Sequence, residues 1–341
     1  MRQDVSPLVS VVIPTHNRAN MLAKALSALA EQTFPADQSE VIVVMDGPDA
    51  ATELMLRKSS FPFSLRWFTQ PHKGTPAARQ LGVASARSAV LVFIDDDIVV
   101  TRGFLQAHYD LHQQESGLVV LGALKPSPDS RGGFVEVAVD WTQAYFDRCS
   151  NPGYQVGGKD LVGNNFSAKK DDLLSAGGWD ENFIGYGGYE DRDLGLRLER
   201  FGMRFRFEVQ ALGYHNQTKG WSDVLRDVRQ TGRNFPHYVQ KHPDDLKLIS
   251  WAASTAWRRL LFRAIGLCPE FAFKALNKFA SLTDHMVGAS GRGRVFDSLV
   301  RLSENAVLVR GIWETPEAAE KIYGLLSAQA RGTIAPFTRA N

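Results

Sequence analysis

Val90-Leu-Val-Phe-Ile-Asp95-Asp96-Asp97-Ile98-Val-Val100 is the stretch on which the fold turns. Val90 to Ile94 is a continuous apolar run of β-formers, the pattern of a strand buried on both faces in a parallel sheet. Three consecutive carboxylates follow, and then the apolar run resumes. At ~4 Å and an effective dielectric near 20, a like-charged pair costs roughly 4 kcal/mol. Such a cluster at the end of a buried strand needs a cation to offset it. In open α/β sheets the carboxyl ends of strands are where ligands bind. Hard oxygen ligands suit Mg²⁺ or Mn²⁺ carrying a diphosphate. A solvated acidic turn is the other reading of the same residues.

The flanking chain has the organisation that such a strand requires. Leu8 to Ile13 reads as a first buried strand closed by Pro14, with Asn17 placed to cap a helix from Ala19 to Glu31. Val41 to Met45 is a second strand ending in the turn signature Asp46-Gly47-Pro48-Asp49. A helix over 50–58 and a short strand over 65–68 come next. Thr75 can cap a further helix, with Pro76 at its first position. Strand and helix therefore alternate through the first hundred residues, the build of an α/β fold with a mostly parallel sheet covered by helices on both faces.

Beyond the acids the pattern predicts a helix over 103–114 and a strand over 118–121. Val135 to Arg148 is too irregular to assign. A strand over 161–168 and a helix over 170–176 follow. The loop Gly177 to Gly188 delivers Tyr189-Glu190-Asp191 onto a helix with Leu194, Leu198 and Phe201 on its packed face. Strands near 204–207 and 211–214 end at His215. A helix over 222–241 closes this region. From Leu246 the pattern is mostly helical, interrupted by Gly288 to Arg294. The expected domains are 1–245, divided into halves at about residue 100, and a C-terminal helical extension over 246–341.

Composition narrows the function classes. The chain has 341 residues, 39 basic and 37 acidic, for a net charge of +2, which argues against a dedicated nucleic-acid binder. Cys149 and Cys268 form neither a metal-type spacing nor a disulfide framework. The start shows no secretory signal, and no run of about 18 apolar residues exists. A cytoplasmic, reducing compartment is expected. In Trp251–Leu267, a stripe of Trp257, Leu260, Leu261, Ala264 and Leu267 opposes Arg258, Arg259 and Arg263. That basic amphipathic pattern suits peripheral contact with the inner face of a membrane; packing on the catalytic domain is the blander alternative.

Several segments occur in order, each at the end of an expected element: Ser10-Val-Val-Ile-Pro-Thr-His-Asn-Arg18, Val43-Val-Met-Asp46-Gly47, Lys73-Gly-Thr-Pro-Ala-Ala-Arg79-Gln-Leu-Gly82, Ile94-Asp-Asp-Asp97 and Gly188-Tyr-Glu-Asp191. Together they resemble the family 2 nucleotide-sugar glycosyltransferases, which have the GT-A fold, over roughly residues 6 to 240. Gly185-Tyr-Gly-Gly-Tyr-Glu-Asp191 is also similar to the acceptor-side segment of β-1,4-galactosyltransferases.

The resemblance implies a nucleotide-sugar donor, a UDP-sugar first of all, and a glycan or lipid-linked acceptor in polysaccharide or glycolipid biosynthesis. It implies that Pro14, Thr15 and Arg18 line the nucleotide pocket, that Asp46 bonds the uracil ring, and that Arg79 lies near the base or diphosphate. Asp95 and Asp97 occupy the acids of an Asp-x-Asp motif. Asp95, with Asp96 beside it, would face the ribose; Asp97, with His215, would hold Mn²⁺ or Mg²⁺. Asn164, Asn165, Gly188 and Tyr189 would serve the acceptor. Asp191 matches a general base, with Glu190 beside it.

The residues alone leave plainer readings for several of these. Asp46 is also a turn former, His215 also a structural histidine, and Arg79 also a helix-face residue. Asn164 and Asn165 could simply satisfy backbone groups near a strand end. Two carboxylates in the first turn of a helix are favoured by its dipole without any catalytic role.

Gln230-Thr-Gly-Arg233-Asn234 lacks the tryptophan of the Gln-x-x-Arg-Trp motif of processive members, so a single sugar addition is expected. A sugar-1-phosphate nucleotidyltransferase is the enzymatic alternative, although its basic glycine-rich loop is missing after strand one. A non-catalytic carbohydrate-binding or scaffold protein would need none of Asp97, Glu190 and Asp191.

Overall fold

The computed structural model describes residues 6–130, 135–218, 220–253, 255–267, 278 and 304–330. Its centre is an eight-stranded mixed sheet of order β3-β2-β1-β4-β7-β6-β8-β5. The strands are β1 (Val9–Thr15), β2 (Ser39–Asp46), β3 (Ser64–Gln70), β4 (Val90–Ile94), β5 (Ile98–Val100), β6 (Leu118–Pro126), β7 (Asn165–Lys169) and β8 (Arg204–His215). β3, β2, β1 and β4 are mutually parallel. β1, β2 and β4 are buried along their whole length, as strands covered on both faces must be.

The sheet's second half departs from the parallel pattern. β7 runs antiparallel to both β4 and β6, and β5 turns back antiparallel onto the end of β8. The two strands expected near 204–207 and 211–214 are one strand, β8. Its register against β6 shifts between Gly122 and Ala123, a bulge that breaks the alternation without ending the pairing.

Apolar side chains cover both faces. On one, Leu22, Leu26 and Leu29 of α1 (Ala19–Ala30) pack with Val11, Ile13, Val43, Val92 and Ile94. On the other, Ala78 and Val83 of α3 (Thr75–Ser85) and Leu194 and Leu198 of α7 (Glu190–Arg200) pack with Val12, Val44, Phe93 and Phe166. Helices α2 (Ala50–Lys58), α4 (Phe104–Gln114) and α6 (Lys170–Ser175) lie where the periodicity placed them.

Local details correct the reading of the sequence. Asn17 does not cap α1: it has φ 54°, and Arg18 is the N-cap residue without a side-chain bond. Thr75 lies inside α3, whose N-cap is Gly74 at φ 105°. Val135–Cys149 forms a helix, α5, where no regularity was legible. Phe201 falls past the end of α7 and is exposed. The Gly288 to Arg294 interruption lies outside the described residues.

The chain divides into two compact units, one of residues 1–185 and 190–218, which holds the whole sheet, and one of 186–189 and 219–341. In the second, α8 (Trp221–Lys241) crosses a helix over 304–312 so closely that a Cβ on Gly232 would meet Leu308 O at 2.1 Å. Glu314 pairs with both Arg229 and Arg233 of α8. On α9 (Ala256–Leu267), Phe262 packs on Trp313 and Tyr323. The last described helix is α10 (Pro316–Ala330). The segment 186–189 belongs to this unit: Tyr189 stacks on Tyr238 at 4.5 Å.

Candidate active site

The carboxyl end of β4 carries the acids, and the protein's own cations hold them. Arg18, at the start of α1, spans Asp96 and Asp97, with Nη1 2.8 Å from Asp96 Oδ1 and Nη2 2.8 Å from Asp97 Oδ2. Thr15 Oγ1 donates to Asp96 Oδ2 at 2.7 Å. Pro14 is buried in β1 immediately before it. Asp95 accepts from Arg79 Nη2 at 2.8 Å. The repulsion among three adjacent carboxylates is thus offset by two guanidiniums, and the cluster is no solvated turn: Asp96 and Asp97 are buried.

The buried pair splits in its acidity. Burial pushes Asp96 up to about 7, with Arg18 opposing and Asp97 adding to the rise. Burial also raises Asp97, but His215 and Arg18 outweigh it and hold this carboxyl below the usual carboxylate range. Pairing of β5 with β8 sets Ile98 opposite His215 and brings His215 Nε2 to 3.5 Å from Asp97 Oδ1. That oxygen is buried and accepts no hydrogen bond. An orphaned anionic oxygen facing an imidazole suits a divalent ion bound through oxygen and nitrogen.

Arg79 is the hub between the two sides. It is buried on α3, and its Nη1 lies 3.0 Å from Asp191 Oδ1 while Nη2 holds Asp95. Trp179 covers its guanidinium at 4.7 Å, a cation–π contact. Asp191 Oδ2 accepts from Gly163 N at 2.8 Å. The site tolerates no side chain at Gly163: a Cβ there would sit 2.4 Å from both Arg79 Nη1 and Asp191 Oδ1. Gly163 and Trp179 were invisible to motif reading. The glycine in Leu161-Val-Gly-Asn-Asn was the one available signal.

Glu190 and Asp191 open α7 but face differently, as the spacing to Leu194 and Leu198 requires. Glu190 is buried with Oε2 unbonded. Burial and the neighbouring Asp191 push its carboxyl up to about 8, against the pull of Arg79. Asp191 is 30% exposed; burial raises it and Arg79 opposes.

Other expected residues fall elsewhere. Asn165 does not reach an acceptor: it is fully buried, its Nδ2 donating to Ala123 O and Ala211 O, and its Oδ1 faces His108 Nε2 at 3.2 Å. Asn164 is buried beside Gly163 with Oδ1 unbonded. Gly188, at φ 107°, packs on Thr231, and Tyr189 stacks within its own unit. Asp46 is wholly buried, and its oxygens accept from Gln70 Nε2, Lys73 N and Gly74 N, each at 2.8 Å.

Residues 10–153 match the profile of glycosyl transferase family 2, and residues 144–220 match that of the N-terminal domain of galactosyltransferase. Over residues 10–153 the chain is similar to the family 2 glycosyltransferases. The glycosyltransferase YfnE of Bacillus subtilis is 25% identical over 64% of this glycosyltransferase and 67% of its own length. Validoxylamine A glucosyltransferase of Streptomyces hygroscopicus subsp. jinggangensis is 27% identical over 73% of the chain and 64% of its own length. The chain thus spans about two thirds of these relatives. A mannosyltransferase of Pyrobaculum calidifontis, solved with GDP-Man and Mn²⁺, shares the fold with TM-score 0.60 and 17% identity, covering 91% of this glycosyltransferase and 88% of that chain. Among the described residues no helix is long and apolar enough to cross a membrane.

Proposed function

We propose that this chain transfers one sugar from a UDP-sugar to an acceptor hydroxyl, with inversion at the anomeric carbon and Asp191 as general base. The observation that carries it is Arg79, which ties the Asp95 end of the donor strand to Asp191 on α7. Donor-side acids and a carboxylate of raised basicity meet through one guanidinium. A base needs access to the proton it takes, and Asp191 is more open than its buried neighbour Glu190. In this reading Asp191 accepts the hydroxyl proton as the oxygen attacks. Glu190 borders the acceptor, as does Asn164.

On the donor side, Thr15, Arg18, Asp95 and Asp96 line the nucleotide pocket, and Asp46 takes the base with one of its present donors released. Asp97 and His215 would hold Mn²⁺ or Mg²⁺. A bound ion supplies stabilisation of the charge that gathers on the departing diphosphate. Arg18, freed from the acids, pairs with phosphate in the manner suited to a guanidinium.

Asp191→Asn keeps the shape but cannot take a proton. The variant is expected to bind the donor almost as wild type and to lose at least ~10² in kcat. Proton NMR of the wild-type product reports the inverted linkage. Wild-type turnover by the variant, or a retained configuration, overturns the reading.

Peripheral attachment to an anionic membrane is proposed for α9. Trp257 is 60% and Leu260 68% exposed, on a helix with no acidic residue.

A further inference from the structure

The sheet order β3-β2-β1 places the ends of three adjacent strands side by side, and each delivers one potential metal ligand. Thr15 pairs with Met45 and Asp46 with Gln70, so His16 follows β1 beside Asp46, and His72 lies two residues beyond β3. Their ligand atoms lie within 4.8 Å of one another.

We propose that His16, Asp46 and His72 form a second metal site, selective for a borderline-soft transition ion of the Zn²⁺ or Co²⁺ class. His16 Nδ1 is 2.6 Å and His72 Nδ1 3.2 Å from the Asp46 carbonyl oxygen. His72 Nδ1 is also 3.0 Å from Asp46 Oδ2. The imidazole rings sit 4.6 Å apart, tilted by 35°. Both Nδ1 atoms therefore converge on one residue, where an ion replaces the protons they now share with it.

Asp46 is already held by its neighbours. Gln70 Nε2 and Lys73 N fix Asp46 Oδ1, and Gly74 N bonds Oδ2; outer bonds of this kind orient a ligating carboxylate. Gly47 leaves the site at φ 111°, and a Cβ there would already touch His16 and His72, so the chain turns away from between the rings. His72 is half exposed, which gives the ion an entry path. Two imidazoles with one carboxylate favour zinc-like ions, whereas oxygen-rich sets suit Mg²⁺ and Mn²⁺. This site is thus chemically distinct from the Asp97–His215 pair. Its consequence rests on the donor reading above: an ion on Asp46 closes the base end of the pocket and inhibits transfer.

The test is a Co²⁺ titration of the full chain without nucleotide, read by ligand-field absorption, so it does not depend on the donor reading. An Asp97→Asn background removes the other site. One equivalent is expected to bind with a visible band in that background. Adding His72→Ala, an exposed position that leaves the fold intact, weakens binding at least ~10-fold, since losing a ligand costs no less than losing an outer-shell partner. His16→Ala does the same. No band in the Asp97→Asn protein, or binding unchanged by both histidine substitutions, overturns the site.

Discussion

Arg79 holds Asp191, with its Nη1 3.0 Å from Asp191 Oδ1 and its other amino group on Asp95. The proposed base is therefore oriented before any acceptor arrives, and the same guanidinium answers to the donor strand. Catalytic geometry and stability meet in one buried side chain.

Arg79→Met is expected to cost about 3–5 kcal/mol of stability, because breaking a buried pair leaves uncompensated charge. Urea denaturation at neutral pH measures it. A loss below ~1 kcal/mol, within the range of a surface ion pair, would show that the two acids do not depend on Arg79.

Glu190 gives a pH signature. Its folded carboxyl is pushed up to about 8 from an ordinary 4.5, so between these values the native state keeps a proton that the unfolded chain has lost. Stability must then fall as pH rises through that window. Glu190→Gln removes this contribution, and its advantage over wild type in denaturant midpoint should grow from pH 5 to pH 8 and then level off. A constant difference across the range contradicts it.

His108 and His112 act in the opposite direction. Both lie under the sheet against Ser167 Oγ at 2.8 Å. Burial lowers His108 to about 3 and His112, with Lys169 contributing, to about 4. The unfolded chain binds protons near pH 6.5 that the native state refuses, so stability falls as pH drops from about 6.5 towards 4. Each histidine adds a slope of up to ~1.4 kcal/mol per pH unit. Replacing His112 with Asn should remove its own part of that slope, up to ~1.4 kcal/mol per pH unit, in a pH series of urea melts, and an unchanged slope would count against it.

Sedimentation with vesicles tests α9. Vesicles rich in anionic lipid should pellet the protein at low salt and release it at high salt. Trp257→Ser with Leu260→Ser should abolish binding without altering the melting temperature, since both side chains are exposed. No pelleting of wild type at low salt ends the proposal.

Much of the first unit was legible because its strands are buried runs and its helices carry clean apolar stripes. Val90–Ile94 and Ala50–Lys58 lie where the pattern put them. What escaped depended on distant partners. Asn165 sits beside Asn164 in sequence, yet β7 turns it into the interior, where a Cβ on Gly122 would meet its Oδ1 at 2.1 Å. A period-2 strand gives adjacent residues opposite faces, but not which face holds His108. α5 was missed because Val135, Val137 and Val139 recur with a strand's period of two at its start. Gly163 was missed because a glycine's role lies in what approaches it. The pairing of the acids with Arg18 and Arg79, at sequence separations of 79 and 16, is tertiary information that no local window contains.

The pairing of Ile98 with His215 also dictates an order of assembly. β1 to β4 can form their parallel sheet from the first hundred residues. β5 is made next, yet it has no partner until the chain reaches the end of β8 more than a hundred residues later. On the ribosome the nascent chain must therefore wait with Asp97 in place and His215 not yet made. Contacts this far apart in sequence are the slow ones to close. Hydrogen exchange during refolding should protect β1 and β2 amides before those of β5, so within the sheet the Asp97–His215 pair is completed late.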